Sequence, residues 1–322
     1  MGETALRIGV SGAGGFLGSR LVAYLSSHGC EVVRIVREDG ARDSLDRARD
    51  SDTPIIYGLS TNDQLQRQFD QAQVDGLVIS GAADSRQDGV ADADELVLGN
   101  VLLPARLLAA ASKSGVKRVV LIGTAWQEST ADGYAPWNLY AATKQAASDI
   151  AHHFASRDLP ISELHLFETY GDGDTRDKVY NLMLDAAVLH QPIVLSPGAQ
   201  RLHLVHIQDV CAAILMELER SASSGFQCFR IDSEKAITVK DLATAIRSIE
   251  PDFQAVLGGR TYRPNEILDP QSRHPRPPRW APAVNLDEGL RACLAWKVAH
   301  VDVGDPMASG SPPGRAEPTG TW

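Results

Sequence analysis

Short apolar runs alternate with longer amphipathic ones through the first half of the chain. "LRIGVSG", "EVVRIV", "DGLVIS" and "VKRVVLIG" are apolar runs of strand length, while "SRLVAYLSSHG" and "NVLLPARLLAAASKSG" carry apolar residues at helical spacing. Apolar runs without polar alternation predict strands covered on both faces, and strands separated by helices predict βαβ units in a parallel sheet. Gly29 and Gly115 fall where two of these helices should end. The expected class is α/β, a Rossmann-type doubly wound parallel sheet forming a dinucleotide-binding domain over residues 1–165.

After "ISELHLF" the pattern changes to a loop rich in Asp and Gly, "ETYGDGDTRDK", then a helix, "VYNLMLDAAVLH", and an apolar piece, "PIVLS". "ITVKDLATAIRSI" and "VNLDEGLRACLAWK" read as two further amphipathic helices, the first opened by Thr238 with Asp241 three residues on. Residues 166–300 are therefore expected to form mainly a smaller α/β substrate-binding region, partly interleaved with the first domain. Residues 301–322 are rich in Pro, Gly and Ser and read as a disordered tail.

Composition narrows the function. A chain of 322 residues with 43% hydrophobic content can bury a large core, and its net charge of −10 leaves no general basic surface for a phosphate backbone. Nucleic acid is not an expected partner. No apolar run approaches the ~18 residues of a membrane span, the first strand runs into glycines rather than a signal helix, and Leu6 stands where a myristoylation motif needs Ser or Thr. No membrane association is expected. Cys30, Cys211, Cys228 and Cys293 form no CxxC pair, which suggests neither a zinc motif nor a disulfide framework and fits reduced thiols in a cytoplasmic protein.

Candidate chemistry begins in "VSGAGGFLGSRL", where Gly12, Gly15 and Gly18 stand between a predicted strand and a predicted helix opened by Phe16 and Leu17. Glycines there permit a tight turn, close backbone approach to a pyrophosphate and close packing of helix on strand. Enzymes that bind NAD usually end the second strand with an acidic residue for the ribose 2′-hydroxyl, but here Val36 is followed by Arg37. A guanidinium suits a 2′-phosphate and favours NADPH over NADH; the alternative is that Arg37 is a solvated charge and Glu38 or Asp39 holds an NAD ribose.

In "NLYAATKQAASDI", Tyr140 and Lys144 are four residues apart and share one helix face. A phenol with a pKa near ~10 is a poor acid at neutral pH, and a nearby ammonium favours its phenolate and lowers that value. Thr124, at the end of "RVVLIG", could bond the same substrate oxygen as Tyr140, since ligands of such folds bind at the carboxyl ends of the strands.

The glycine spacing, "ISGAA" with Ala82 after the fourth strand, Thr124, and the Tyr140/Lys144 pair occur in one order. Together they resemble the extended short-chain dehydrogenase/reductase family, its nucleotide-sugar branch, over roughly residues 5–300. The resemblance implies Tyr140 as proton donor, Lys144 holding the nicotinamide ribose, Thr124 in support, and a homodimer. Asn100, in "LGNVLLPARLL", matches an asparagine of that family and reads as structural. Relatives that carry out 4,6-dehydration follow the threonine with Asp and Glu; "GTAWQ" places Ala125 and Trp126 there, without an acid or base for elimination.

"FETYGDGDTRDKVYNLM" and "LSPGAQRLHLVHIQDV" further resemble segments of CDP-abequose and CDP-paratose synthase-like reductases, which act on nucleotide-linked 4-keto-6-deoxyhexoses. The implied activity is reduction of the C4 ketone, with a bound-NAD 4-epimerase or a non-catalytic dinucleotide-binding protein as alternatives. Arg176, Lys178 and Arg201 are candidates for the substrate diphosphate, or are solvated loop charges. Glu168 and Thr169 replace the pattern common in epimerases, and the role of Glu168 stays open. Trp126 and Trp137 could wall a sugar or base or pack in the core, and His203 and His206 lack an evident third metal ligand.

Overall fold

The computed structural model describes residues 5–37, 54–57, 61–81, 83, 90–128, 135–220, 225–263 and 266–300. Four strands follow the apolar runs read above, β1 (Arg7–Ser11), β2 (Glu31–Arg37), β4 (Gly76–Ile79) and β5 (Arg118–Thr124), and two more join them, β3 (Ile55–Tyr57) and β6 (Ile161–Leu166). An edge strand, Phe226–Ile231, completes a seven-stranded sheet in the order edge strand, β6, β5, β4, β1, β2, β3. Every pairing in it is parallel. The chain order reverses between β1 and β4, which opens the crevice at the strand ends where such sheets bind ligands.

Both faces of the sheet are covered. Along β4, Val78 packs into one apolar cluster with Leu21, Leu25, Val210 and Ile214, whereas Leu77 and Ile79 enter a second with Phe69, Leu107 and Ala151. That alternation explains why the strands read as unbroken apolar runs. Gly29 and Gly115 both adopt positive φ, 81° and 72°, at the expected helix ends. Among the described residues no helix is long and apolar enough to cross a membrane.

The chain separates into two compact units whose segments interlace in sequence. The first comprises Met1–Thr169, His203–Lys235 and Pro270–Val284; the second comprises Tyr170–Leu202, Ala236–Asp269 and Asn285–Trp322. The second holds the helices Val179–Val188, Val239–Ile249 and Leu286–His300. Thr238 caps the middle one reciprocally with Asp241, as the sequence spacing requires. Residues 301–322, read above as a tail, lie outside the described residues.

The turn from β1 into helix α1 (Phe16–Ser27) shows what its glycines do. Gly12 has φ 70°, and a Cβ built there would stand 2.5 Å from Gly81 Cα. A Cβ on Gly18 would stand 2.0 Å from the Gly12 carbonyl oxygen, so helix and turn touch backbone to backbone. Nothing lies within 4 Å of a Cβ built on Gly14. Gly18→Ala is expected to destabilise the protein by about 1–3 kcal/mol in urea denaturation, while Gly14→Ala changes stability by less than about 0.5 kcal/mol. Equal effects of the two changes would refute this account of the turn.

Candidate active site

The first turn of α1 presents its amides without a side-chain cap: Gly15 occupies the N-cap and has no side chain to offer. Amides at such a terminus suit an anion. The space above Gly14 and the close packing beneath Gly12 and Gly18 fit a dinucleotide pyrophosphate. Phe16 and Leu17 open the helix and are half-buried. The neighbouring loop is fixed to the same turn, because Gly81 N donates to Ser11 Oγ at 3.2 Å and Ser80 Oγ donates to Ser11 O at 2.5 Å. Ala82 lies outside the described residues, as do Glu38 and Asp39, while Arg37 is the exposed last residue of β2.

Tyr140 and Lys144 lie on the helix Leu139–Ala155, whose N-cap Asn138 accepts the Ala141 amide at 2.9 Å. Tyr140 is half-buried near the start of the helix, and Lys144, one turn later, is only 3% exposed. The tyrosine helix is tied to the loop after β4 by Asn100. Its Oδ1 accepts from Ala83 N at 2.9 Å, and its Nδ2 donates to Ala83 O and to Thr143 Oγ1, both at 3.0 Å. Thr143 in turn donates to Tyr140 O at 2.8 Å. The structural reading of Asn100 thus acquires definite partners.

Asn100 reaches them from a π turn, Leu98–Leu102, inside a helical run from Val90 to Ala111. Pro104 follows closely and has no amide for the carbonyl four residues back, whereas Leu103 N donates to Leu98 O across the wider turn.

Thr124 ends β5 and is buried. Its Oγ1 accepts from Trp126 N at 3.3 Å and its amide donates to Gln127 Oε1 at 2.8 Å, closing a short helical turn over Ala125–Gln127. Gln127 Nε2 donates to Gln145 Oε1 at 3.2 Å on the tyrosine helix and to Glu163 Oε1 at 3.1 Å on β6. Ser148 donates to the other Glu163 oxygen at 2.5 Å. Gly123 leaves room for this carboxylate, since a Cβ there would stand 2.7 Å from Glu163 Oε1 and 2.6 Å from the His165 ring.

Burial pushes the Lys144 ammonium down to about 8, against the opposing pull of the Glu163 carboxylate. Burial also presses Glu163 upward, but His165 and the hydrogen bonds from Ser148 and Gln127 outweigh it and hold the carboxyl below its ordinary range. Sequence reasoning missed Glu163, Gln127, Ser148 and Thr143. The available signal was "ISELHL", with Glu and His at alternate positions of an otherwise apolar strand.

Ala125, Trp126, Phe167, Glu168, His203 and Pro270 line a cleft beside this turn. Trp126 and Trp137 pack with ring centres 5.0 Å apart, and Trp137 N donates to Trp126 O at 3.1 Å. His203 and His206 have separate surroundings: His203 lies edge-on to Phe167, whereas His206 caps the helix Ile207–Glu219. Arg176, Lys178 and Arg201 all belong to the second unit. Arg176 grips Asp174 through Nε at 2.8 Å and Nη2 at 2.6 Å, and the Tyr180 hydroxyl bonds the same carboxylate. Lys178 is the N-cap of Val179–Val188, and Arg201 Nε stands 3.3 Å from Asp269.

The model of the NAD dependent epimerase/dehydratase family matches residues 8–227, spanning the glycine turn, Thr124 and the tyrosine helix. The chain belongs to this family. It is 28% identical over 273 residues to CDP-abequose synthase of Yersinia pseudotuberculosis, covering 84% of this chain and 93% of that protein. It is 24% identical over 268 residues to UDP-glucose 4-epimerase of Corynebacterium glutamicum, covering 76% of this chain and 80% of that one. The solved UDP-glucose 4-epimerase of Thermus thermophilus, in complex with NAD, shares the fold with a TM-score of 0.74 at 19% identity, over 91% of this chain and 100% of that one.

Lys144 stays charged below about pH 8 despite its burial, and the opposing carboxylate gives a test. In NMR titrations of lysine-labelled protein, Lys144 is expected to titrate near about 8. Glu163→Gln removes the charge that favours the ammonium and should lower that midpoint further, while Ser148→Ala, which leaves the carboxylate in place, should move it less. A midpoint unchanged or raised in Glu163→Gln contradicts the assignment.

Proposed function

We propose that the protein reduces the C4 ketone of a nucleotide-diphospho-4-keto-6-deoxyhexose in deoxysugar biosynthesis, using NADPH in preference to NADH. The observation that carries this reading is the similarity to CDP-abequose synthase along 93% of that relative's length, with Ala125 and Trp126 after the site threonine. A chain without an acid or base at those positions is not equipped for elimination, but it retains what ketone reduction needs.

A bound reduced nicotinamide supplies hydride to the ketone carbon. Tyr140 delivers a proton to the developing alkoxide. Lys144, charged below about pH 8, stabilises the phenolate that this transfer leaves behind. Thr124 Oγ1 is occupied as an acceptor by the Trp126 amide, so its hydroxyl hydrogen can be directed at the same sugar oxygen. Trp126, Phe167, Glu168 and His203 are the proposed neighbours of the sugar, and Arg176, Lys178 and Arg201 the proposed diphosphate donors. Arg37 at the end of β2 is the proposed partner of a 2′-phosphate. The exposed apolar residues Val97, Leu98 and Leu102 support a homodimer.

A second reading, a 4-epimerase with tightly held NAD, has support in the epimerase similarity and in the NAD-bound structural relatives. The two separate in one assay. Purified protein mixed with freshly generated CDP- or dTDP-4-keto-6-deoxyglucose should consume NADPH stoichiometrically and yield a single C4 epimer by NMR. Conversion of a nucleotide sugar without net consumption of either cofactor would replace reductase by epimerase. Tyr140→Phe is expected to lower the reductive rate by about 10²–10⁴-fold with little change in cofactor binding. Arg37→Asp should invert the preference toward NADH, and an unaltered cofactor ratio would remove Arg37 from the site.

A further inference from the structure

Next to Glu163 the first unit gathers donors that the chemistry above does not use. His165 follows Glu163 by two residues on β6 and is 2% exposed. Neither of its ring nitrogens makes a hydrogen bond, although Nε2 stands 3.3 Å from Glu163 Oε1, off the line such a bond requires. Cys228 lies opposite Glu163 on the adjoining edge strand, a diagonal neighbour of His165. His274 is pinned to that same strand, because Arg230 Nη1 donates to its carbonyl at 2.6 Å and Arg230 N donates to Pro275 O at 2.9 Å. The His165 and His274 rings meet edge to face, with centres 5.0 Å apart.

The ligand atoms of His165, Cys228 and His274 all lie within 4.8 Å of one another. Glu128 adds a carboxylate: its Oε2 is buried, makes no hydrogen bond and stands 3.2 Å from His274 Nε2, while Oε1 is held by Arg273 at 2.7 Å. Glu163, by contrast, is committed to Ser148 and Gln127.

We infer that His165, Cys228 and His274 form a structural site for a divalent transition metal, zinc above all, with water completing the coordination and Glu128 beside the His274 ring as its supporting carboxylate. Imidazole and thiolate are donors a tetrahedral zinc ion accepts, and a thiolate disfavours calcium and magnesium. Bonds of about 2.0–2.3 Å place ligand atoms about 3.3–3.7 Å apart, so closing this group on an ion draws its more distant donors inward by about 1 Å. The ion would engage a His165 ring whose nitrogens make no hydrogen bond. It would also join β6, the edge strand and the Arg273–His274 segment into one cross-link beside Glu163. The site is distinct from the cofactor turn and from the sugar cleft, and it holds whichever reaction the protein catalyses.

The test uses the full chain. Protein isolated from zinc-supplied cells should contain about one zinc per chain by elemental analysis. After removal of the metal, cobalt(II) should produce a thiolate charge-transfer band in the near ultraviolet and the intense visible bands of a tetrahedral centre, both displaced by zinc. Cys228→Ser should abolish the charge-transfer band, whereas Cys30→Ser should retain it. His274→Gln, at a partly exposed position where folding is less at risk, should weaken cobalt binding by tenfold or more. Far-ultraviolet circular dichroism establishes that each variant is folded. A folded wild-type chain that takes up neither zinc nor cobalt, or undiminished cobalt spectra in Cys228→Ser or His274→Gln, would overturn the inference.

Discussion

The ammonium of Lys144 is a charge held inside a packed core, and much of the surrounding architecture exists to make that tolerable. Removing an ion from water costs several kcal/mol unless a countercharge and hydrogen bonds replace the lost solvation. Glu163 supplies the countercharge, and being buried itself it must also be solvated by protein, which Gln127 and Ser148 accomplish. Gly123 is a consequence of the same requirement, because any side chain there would occupy the space of the carboxylate and of His165. A single buried charge thereby engages residues on β5, β6 and two helical elements.

The parallel sheet makes this arrangement possible. Its strands deliver Ser11, Thr124 and Leu166 near their carboxyl ends, and the reversal of order between β1 and β4 leaves a crevice over the glycine turn. Hydrogen bonds then set the elements around that crevice. Ser11 binds the loop after β4, Asn100 binds the same loop to the tyrosine helix, and Gln127 binds that helix to the end of β5. Each of these contacts satisfies buried backbone or amide groups that would otherwise oppose folding, so the forces that stabilise the fold also position the site.

Local features were legible in the sequence. Gly12 and Gly18 act through a turn a few residues long, Tyr140 and Lys144 through one helical turn, and Thr238 with Asp241 through a cap, so spacing along the chain carries their geometry. Glu163 was hidden because its partners come from the Ala125–Gln127 turn and the tyrosine helix, and strand register, which spacing does not encode, brings Cys228 opposite it. The sequence division near residue 165 expected the second region to be partly interleaved with the first, but spacing did not say which segment returns. In the fold the edge strand Phe226–Ile231 returns to pair with β6, carrying residues 203–235 back into the first unit.

The π turn at Leu98–Leu102 amounts to one residue inserted into an ordinary helix. Deleting a residue there would remove the wide turn and rotate everything before the deletion by about 100° relative to everything after it. The amide of Asn100 could no longer face both Ala83 and Thr143. The extra residue therefore acts as a phase adjustment in the chain: it sets the angular register between two helical halves, and a length change as small as one codon would uncouple the loop after β4 from the helix that carries Tyr140.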